Sequence, residues 1–320
     1  MPSTRGLAGL AARLVSVLFV LFGIAVISFL LMRLVPGDAV DALLGQGQRD
    51  KQTAETLRRV LGLDRSLPQQ FVDWSTALLH GDLGVSFRSH QPVANEILQR
   101  LPATLELAAA GLIVSLIAGL SLGVLSAIRR NSWLDLSSRL ISLIGVSLPN
   151  FWLGIFLILI FGVYLHLLPS GGYVPLSQSV PDNLKFLIMP AVALGVANAA
   201  VIMRLTRSTL LDVLHTDYVR TAFAKGLREQ KVVTRHALRN ALIPIITVIG
   251  IQVGSILGGT VIIEQVFSWP GLGSLVVTAV LNRDYPVVQG VTMLLAAFFV
   301  LASLVVDVTY MYVDPRLRRG

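Results

Sequence analysis

One stretch of the sequence matches a catalytic motif. Residues Gly119 to Gly123 read Gly-Leu-Ser-Leu-Gly, the G-x-S-x-G pattern that surrounds the nucleophilic serine of many hydrolases. That pattern requires a strand before the serine and a helix after it, whereas here it lies inside a long apolar run. Small residues at four-residue spacing let membrane helices approach closely. We therefore predict a helix-packing face at Gly119 and Gly123 and no nucleophile at Ser121.

A second glycine series, Gly250, Gly254 and Gly258, has the same four-residue spacing. The spacing places the three glycines on one face of a helix. We predict that this face packs against another helix. The spacing alone leaves open whether that helix belongs to this chain or to a second subunit.

Nucleotide chemistry would need a different pattern. A P-loop requires Gly-Lys followed by Ser or Thr, but none of the four lysines, Lys51, Lys185, Lys225 and Lys231, follows a glycine. The chain has no cysteine, which excludes thiolate metal sites and cysteine nucleophiles. We therefore predict no catalytic residue, no metal ligand and no cofactor. Any ATP hydrolysis is expected in separate partner subunits.

The composition indicates that lipid surrounds much of the chain. Of 320 residues, 54% are hydrophobic and 14% are charged, whereas a soluble domain carries about 25% charged residues. The mean hydropathy is +0.74 and the isoelectric point is about 10.3. In a membrane protein, a formal net charge of +8 is typical of cytoplasmic loops that face anionic lipid. We predict membrane lipid as a partner and no binding of nucleic acid.

Six apolar stretches are long enough to cross a bilayer as helices, which requires about 20 residues. They predict an all-α membrane protein with six transmembrane helices. The stretches are Leu14 to Met32, Ala103 to Ile128, Leu140 to Leu165, Phe186 to Met203, Ala241 to Ile263 and Val287 to Val306.

The distribution of lysine and arginine predicts the orientation. With the N-terminus in the cytoplasm, eight basic residues between Arg204 and Arg239 fall on the cytoplasmic side, and the two short external loops hold only Lys185 and Arg283. This is the bias that the positive-inside rule requires. Both termini are therefore predicted to be cytoplasmic.

These spans divide the chain into five parts. We predict a cytoplasmic tail (1–13), a first transmembrane helix (14–34), an external helical cap (35–101), a domain with five spans (102–312) and a second cytoplasmic tail (313–320). Helical signals within the cap occur at Thr53 to Leu61, at Pro68 to Leu79 after a possible N-cap at Ser66, and at Pro92 to Leu101. The stretch Phe267 to Gly273 should break the helix, with a short helix from Ser274 to Leu281.

Ionisable residues are absent from the middle of the six stretches. Glu106 and Glu264 lie near outer ends, and Asp307 lies about a turn from the cytoplasmic interface, where we expect it to pair with an arginine. Ion-coupled transporters place such groups deep in the membrane, so an ion-coupled secondary transporter is disfavoured. An intramembrane Ser/His protease is disfavoured because no histidine lies at mid-membrane.

The long basic segment 206–240 has a local pattern of its own. Asp217 can cap a short helix, and Gly226 supplies the left-handed turn that ends it after Lys225. A second basic helix is predicted from Glu229 to Arg239. Two interpretations fit this pattern equally well: a helix lying on anionic headgroups, or a surface that docks a partner protein.

The sequence around this segment resembles the coupling loop of binding-protein-dependent ABC importer permeases. The residues that carry the resemblance lie between Asp217 and Leu227 and between His236 and Pro244. In the general importer pattern, Glu-Ala-Ala is followed after three residues by Gly and after nine more by Ile-x-Leu-Pro. Only Ala222, Gly226 and Leu238 match that pattern here, and the departures resemble the dipeptide and oligopeptide branch.

Further segments along the chain are similar to the same branch, and in particular to its B-type inner-membrane subunit. They are Val35-Pro36-Gly37-Asp38, Leu61-Gly62-Leu63-Asp64, Gly81 to Ser86, Arg100 to Thr104, Pro270-Gly271-Leu272-Gly273, Arg283 to Pro286 and Asp314-Pro315-Arg316. The resemblance implies a type I importer fold in the bacterial inner membrane, and it favours docking in an ATPase groove. The residues it assigns to ATPase coupling are Asp217, Tyr218, Arg220, Thr221, Ala222, Lys225, Gly226, Leu227, His236, Arg239 and Asn240.

The resemblance also implies partners and a substrate class. It implies a homologous second permease that shares the translocation path, two ABC ATPase subunits and an external solute-binding protein. The substrates it implies are di- or oligopeptides, and nickel or metallophore, glutathione and oligosaccharide uptake stay open within the family.

Overall fold

The computed structural model describes residues 4–34, 39–44 and 51–313, with side chains at residues 15–34, 40, 43–44, 51–242 and 244–305. The motif Val35-Pro36-Gly37-Asp38, the side chain of Asp307 and the residues after Val313 lie outside these ranges, so the predictions made for them are not tested. Helices are the regular secondary structure of the described residues, apart from one isolated antiparallel bridge between Val85 and Pro92. The predicted all-α class is confirmed.

The helices are numbered in chain order. They are α1 (Thr4–Leu34), α2 (Ala39–Leu44), α3 (Lys51–Val60), α4 (Leu67–Leu79), α5 (Val93–Ile128), α6 (Trp133–Ser147), α7 (Asn150–Leu157, continued by a π-helical turn Ile158–Tyr164), α8 (Val180–Leu214), α9 (Asp217–Ala224), α10 (Glu229–Lys231, continued by a π-helical turn Val232–Ala237), α11 (Leu238–Val266), α12 (Leu272–Leu281) and α13 (Tyr285–Val313). The chain forms two compact units, unit 1 (Met1–Pro102 and Gly271–Val300) and unit 2 (Ala103–Pro270 and Leu301–Gly320).

Five of these helices, α1, α5, α8, α11 and α13, are long and apolar enough to cross a membrane. The stretch predicted as the third span is not one straight helix. It falls in α6 and α7, and the direction of the chain changes by 105° between them, at the break between Ser147 and Asn150. If this bent pair is counted as one span, the described structure has six. Pro149 explains the break, because proline has no N–H to donate and pushes the preceding residue out of the helical region. Leu148 accordingly has extended backbone angles, φ −87° and ψ 127°.

In unit 1, two helices between α1 and α5 follow the predicted pattern. The predicted helix Thr53 to Leu61 corresponds to α3, and Pro68 to Leu79 corresponds to α4, with Ser66 at its N-cap. The Gln69 side chain accepts a hydrogen bond from the Ser66 N–H, as in a capping box. The core of this unit joins α1, α5, α12 and α13 through Met32, Val93, Ile97, Leu272, Leu275, Tyr285 and Val291.

The boundary predicted at residue 102, between the cap and the second span, does not coincide with a helix end. The third predicted cap helix, Pro92 to Leu101, is the first part of α5, which runs from Val93 through Pro102 to Ile128. Pro102 therefore lies inside a helix of 36 residues. A single proline within a long membrane helix is tolerated where neighbouring groups satisfy the backbone.

In unit 2, α8 is the central helix. It packs against α6, α7 and α11, and 67% of its most apolar stretch is buried, more than in any other membrane-length helix described. The helix starts with Ser179 as N-cap, contains Pro190 and ends at Leu214. It is thus longer at both ends than the predicted span Phe186 to Met203.

Glycines allow α5 and α8 to approach closely. A Cβ atom placed on Gly119 would lie 2.8 Å from the carbonyl oxygen of Ala199, and one placed on Gly123 would lie 2.6 Å from Thr206 Cβ. These distances are shorter than van der Waals contact, so only glycine fits. The packing interpretation of Gly119 and Gly123 is confirmed.

The second glycine series behaves differently. Gly254 is buried and Gly250 is half-buried, but Gly258 is exposed and a Cβ on it would meet no atom within 4 Å. Gly259 lies close to α8 instead, where its Cβ would be 3.1 Å from Leu194 Cδ1. Gly258 therefore packs against no helix among the described residues of this chain, and the packing of this face against a second subunit stays a prediction.

The predicted interruption after α11 is present. Phe267 ends the helix, Ser268 has a left-handed backbone (φ 51°) and α12 begins at Leu272. Trp269 in this turn is fully buried and donates a hydrogen bond from Nε1 to the Ala103 carbonyl oxygen at 2.8 Å. The predicted helix Ser274 to Leu281 starts two residues too late.

Candidate functional site

The segment between α8 and α11 contains the residues that the sequence singled out. Its ends differ from the prediction, because 206–214 belongs to α8 and the helical run that begins at Glu229 does not end at Arg239. It continues through the π-helical turn into α11, up to Val266. The segment is therefore a direct extension of two membrane-length helices, with α9 between them.

Helix α9 begins one residue after its cap. The cap position is Thr216, with extended backbone (φ −75°, ψ 152°), and Asp217 is the first helical residue rather than the cap that was predicted. A carboxylate in the first turn still favours the positive end of the helix dipole. Arg220 lies 3.4 Å from the Asp217 carboxylate, and both side chains are exposed.

The turn after α9 has the left-handed geometry that was predicted. Gly226 has φ +75°, its N–H donates to the Phe223 carbonyl at 2.9 Å, and the Leu227 N–H donates to the Ala222 carbonyl at 3.4 Å. These two bonds, with glycine at the left-handed position, form a Schellman motif. The predicted role of Gly226 as the residue that ends the helix is confirmed.

A small apolar core anchors α9. Val219 and Ala222 lie three residues apart on one face and are buried with Val232, and Leu227 packs against them from beyond the turn. Residues three apart share a face of a helix, so this face fixes the orientation of α9. Sequence analysis assigned Ala222 and Leu227 to the segment but missed Val219 and Val232.

The rest of the surface of α9 is exposed. It presents Arg220, Thr221 and Lys225 together with two aromatic side chains, Tyr218 and Phe223, each 44% exposed. Aromatic residues and arginine are enriched where proteins bind other proteins. A helix with a buried anchor and such an outer face is suited to docking.

The remaining predicted residues lie at the start of the second helical run. Asn240 donates from Nδ2 to the Tyr218 hydroxyl at 2.7 Å and to the His236 carbonyl at 3.2 Å. Asn240 and Arg239 are exposed, and His236 is half-buried. The structure thus brings Tyr218 and Asn240 together across the segment, which the sequence alone did not indicate.

Comparison with known proteins identifies the family. Residues 119–319 match the model described as binding-protein-dependent transport system inner membrane component, and residues 7–108 match the model of the N-terminal part of such membrane components. The chain belongs to the binding-protein-dependent permease family. The permease is therefore a multi-pass protein of the inner membrane.

Similar proteins cover nearly the whole permease. A putative peptide permease protein of Brucella suis biovar 1 is 42% identical over 96% of this chain and 97% of its own. The di/tripeptide transport system permease protein DppB of Pseudomonas aeruginosa is 42% identical over 97% and 98%. The glutathione transport system permease protein GsiC of Shigella flexneri serotype 5b is 42% identical over 96% and 97%.

A solved structure supports the predicted fold. In the inward-facing structure of the MetNI methionine ABC transporter, a chain that is 21% identical to the permease aligns with a TM-score of 0.57. The alignment covers 68% of this chain and 96% of that one. At this identity the likeness concerns the fold, which is that of the type I importer permeases.

A buried ion pair near the end of α8 was missed by sequence analysis. Asp135, in the first turn of α6, is fully buried, and Arg207 of α8 donates from Nε to its Oδ1 at 2.7 Å and from Nη2 to its Oδ2 at 3.0 Å. The same carboxylate accepts hydrogen bonds from Ser126 Oγ and from the Asn131 N–H. Arg207 was counted among the basic residues of a cytoplasmic segment, since nothing in its local sequence indicates a partner 72 residues away.

This ion pair joins three elements of unit 2. Ser126 belongs to α5, Asp135 to α6 and Arg207 to α8, so one carboxylate fixes the positions of three helix ends. A bidentate arginine–carboxylate pair adds geometric specificity as well as energy. The end of α8 that leads into α9 is therefore held by the permease itself.

The other end of α8 is held by a second polar network. Asn183 in its first turn donates to the Glu106 carboxylate and to the Val174 carbonyl oxygen, and the Tyr173 hydroxyl donates to Glu106 at 3.0 Å. Burial, together with this hydrogen bond, raises the pKa of Tyr173 to about 12. Tyr173 is thus a hydrogen-bond donor throughout the physiological pH range.

Proposed function

We propose that this permease imports di- or oligopeptides, with ATP hydrolysis supplied by two separate ABC ATPase subunits. A second, homologous permease completes the translocation path, and an external binding protein delivers the substrate. The names of the similar proteins from Brucella suis and Pseudomonas aeruginosa support the peptide assignment. The chain itself is proposed to hydrolyse no ATP, because it lacks the Gly-Lys pair of a P-loop.

The geometry of α9 is the observation that carries this proposal. Its anchored inner face and its exposed outer face, with Tyr218, Arg220, Phe223 and Lys225, suit the groove of an ATPase better than a lipid surface. A headgroup-bound helix turns its apolar face toward lipid, whereas the apolar Val219 and Ala222 of α9 are buried against Val232. Movement of the ATPase would then pass through Gly226 and Asn240 to α8 and α11.

The proposed orientation follows from the same assignment. An ATPase lies in the cytoplasm, so α9 and both termini are placed there, and the region 35–101 lies outside. That region would help to seat the binding protein.

Glutathione uptake is the second candidate. One similar protein, at 42% identity, is named as a glutathione permease. Glutathione is itself a modified tripeptide, so the two candidates differ in specificity rather than in mechanism.

Reconstitution tests the proposal. The permease, its second permease and its ATPase subunits would be placed in proteoliposomes, and ATP hydrolysis and uptake would be measured with the binding protein loaded with a dipeptide, an oligopeptide or glutathione. We expect hydrolysis only in the full complex, stimulation by a loaded binding protein and uptake of a peptide. Hydrolysis by the permease alone, or uptake of no peptide, would contradict the proposal.

A further inference from the structure

Unit 1 contains a cavity of about 580 Å³ that none of the roles above uses. It lies among the end of α1, helices α3 and α4, the loop before α5 and the start of α13. Small-molecule sites typically have volumes of about 300 to 1,000 Å³. The residues that matter for its chemistry are Arg33, Arg59, Arg65, Asp73, Trp74, Phe87, Tyr285 and Gln289.

Arg33 presents hydrogen-bond donors at this cavity. Its guanidinium stacks 3.5 Å above the ring of Phe29 and donates to the Phe29 carbonyl and, from Nε and Nη2, to Gln70 Oε1 at 3.1 and 2.8 Å. A guanidinium has five N–H groups, so these three bonds leave two without an acceptor among the described residues. Among the residues with described side chains, no carboxylate forms an ion pair with Arg33.

Gln289 holds a second donor group, which is buried in the wall of the cavity. It lines the same cavity from α13 and is 3% exposed, and its Nε2 has no hydrogen-bond partner among the described residues. Buried polar groups almost always have partners, and an exception requires an explanation. A bound acceptor would provide one.

The charges around the cavity have one dominant sign. Three arginines line it, and among the described residues Asp73 is the one carboxylate that does so. Asp73 is already paired with Arg65 at 2.6 Å. Among the residues with described side chains, Arg33 and Arg59 therefore have no compensating charge on the wall of the cavity, which favours an anion.

The walls also suit an organic group. Trp74, Phe87 and Tyr285 supply aromatic surface, and the Ser86 hydroxyl is not free because it donates to Asp284. A ligand with one anionic end and an apolar or aromatic body would match both features. A planar carboxylate fits the fork of an arginine by paired hydrogen bonds.

We propose that this cavity binds a small organic carboxylate, with Arg33 and Gln289 as the donors to its oxygens. The assignment of that carboxylate to the free C-terminus of a short peptide rests on the proposed function. The cavity is then a peptide-binding site on the permease itself, in addition to the peptide-binding site within the external binding protein.

Equilibrium binding to the purified permease complex tests the proposal, without binding protein and in nanodiscs of zwitterionic lipid. The probes are the dipeptide alanyl-phenylalanine and the same dipeptide with a C-terminal amide. We expect the free acid to bind at least ten-fold more tightly than the amide. Equal affinity for the two probes, or no binding of the acid, would overturn the proposal.

Variants locate the site. Arg33→Gln should weaken binding of the acid by ten-fold or more, and Gln289→Leu should weaken it by several-fold. Lys51→Gln is the control, because it removes an exposed charge that does not line the cavity. It should leave binding of the acid unchanged. Gln289 lies in α13 and forms no hydrogen bond with Arg33 among the described residues, so Gln289→Leu decides the matter if Arg33→Gln fails to fold. Unchanged binding in a folded variant of either residue would refute the assignment.

Two competitors define the chemistry. Inorganic phosphate at matched ionic strength, and anionic phospholipid in the nanodisc, should not displace the dipeptide. Displacement by either would mean a phosphate site and would overturn the carboxylate assignment. Peptide uptake by the full complex is measured separately, so a complex that binds the acid but imports no peptide would refute the proposed function and leave the cavity assignment intact.

Discussion

Gly226 determines the direction in which the chain leaves α9. Its φ of +75° belongs to the region that side chains with a Cβ disfavour, yet a Cβ there would meet no atom within 4 Å. The constraint at Gly226 is thus conformational and not steric. A substitution should change the local backbone without disturbing the packing of the membrane helices.

We predict that Gly226→Val lowers transport by an order of magnitude or more while insertion and abundance stay near wild type. The left-handed backbone costs a residue with a Cβ about 1–2 kcal/mol, and the local structure would change to avoid this cost. ATP hydrolysis should also lose its response to the loaded binding protein. Uptake and stimulated hydrolysis are measured in proteoliposomes at equal permease content.

Gly81→Val is the matched control for this variant. Gly81 has φ +80° and equally open surroundings, but it lies between α4 and α5, far along the chain from α9. It carries the same backbone cost, so Gly81→Val should match Gly226→Val in insertion and abundance. Wild-type coupling in Gly226→Val would mean that the segment lies on the membrane surface and docks no ATPase.

The conformation of Gly226 could be predicted from the sequence, whereas the surroundings of Gln289 could not. The left-handed turn at Gly226 is local, and glycine at the end of a basic helix predicts it. The surroundings of Gln289 depend on α1, α3 and α4, which lie more than 200 positions away in the printed sequence. No local pattern could therefore have indicated the cavity.

Among the helices, α5 and α8 make a close contact that requires glycine at two positions of α5. Gly119 and Gly123 of α5 lie against Ala199, Ile202 and Thr206 of α8, and Thr206 is fully buried. Where two helices touch through glycine, even a methyl group must push them apart. Overpacking of this kind costs about 1–3 kcal/mol.

We predict that Gly123→Ala lowers the temperature at which the detergent-purified permease loses its folded state, whereas Gly258→Ala leaves it unchanged. The added methyl of Gly123→Ala would lie 2.6 Å from Thr206 Cβ, but that of Gly258→Ala would meet nothing within 4 Å. Both replacements are glycine to alanine within membrane helices, so their effects on helix propensity match. Equal thermal profiles for the two variants would mean that α5 and α8 are not in close contact.

Sequence predicted which helices exist better than it predicted their ends. Apolar runs defined α1, α5, α8, α11 and α13 because the bilayer imposes a minimum length. The polar ends of α8 and α11 were assigned to a loop because hydropathy falls there, although Leu210, Val232 and Val233 are buried. The break at Pro149 was missed because the apolar runs up to Val146 and from Phe151 onward were taken as one hydrophobic stretch.

At the scale of the whole molecule, orientation can be measured directly. The chain has no cysteine, so a single introduced cysteine reports its own side of the membrane without background. Lys51 in α3 and Lys225 after α9 are both exposed. They lie in the regions proposed to be external and cytoplasmic, respectively.

We predict that Lys51→Cys reacts with a membrane-impermeant maleimide in intact spheroplasts and that Lys225→Cys reacts only after permeabilisation. The reason is the bias of lysine and arginine toward the cytoplasmic loops. Labelling is measured on the purified protein by mass shift. The reverse pattern would place both termini outside and would exclude an ATPase at α9.

The length of α8 has a mechanical consequence. From Pro190 to Leu214 the helix is uninterrupted, which at about 1.5 Å per residue makes a rod of about 37 Å. This rod begins inside the predicted span Phe186 to Met203 and ends just before α9. A tilt of about 5° around Pro190, where one backbone hydrogen bond is missing, would sweep the far end through about 3 Å. The permease could therefore convert a displacement of atomic size at α9 into a change of helix angle across the bilayer, and no helix would have to unwind.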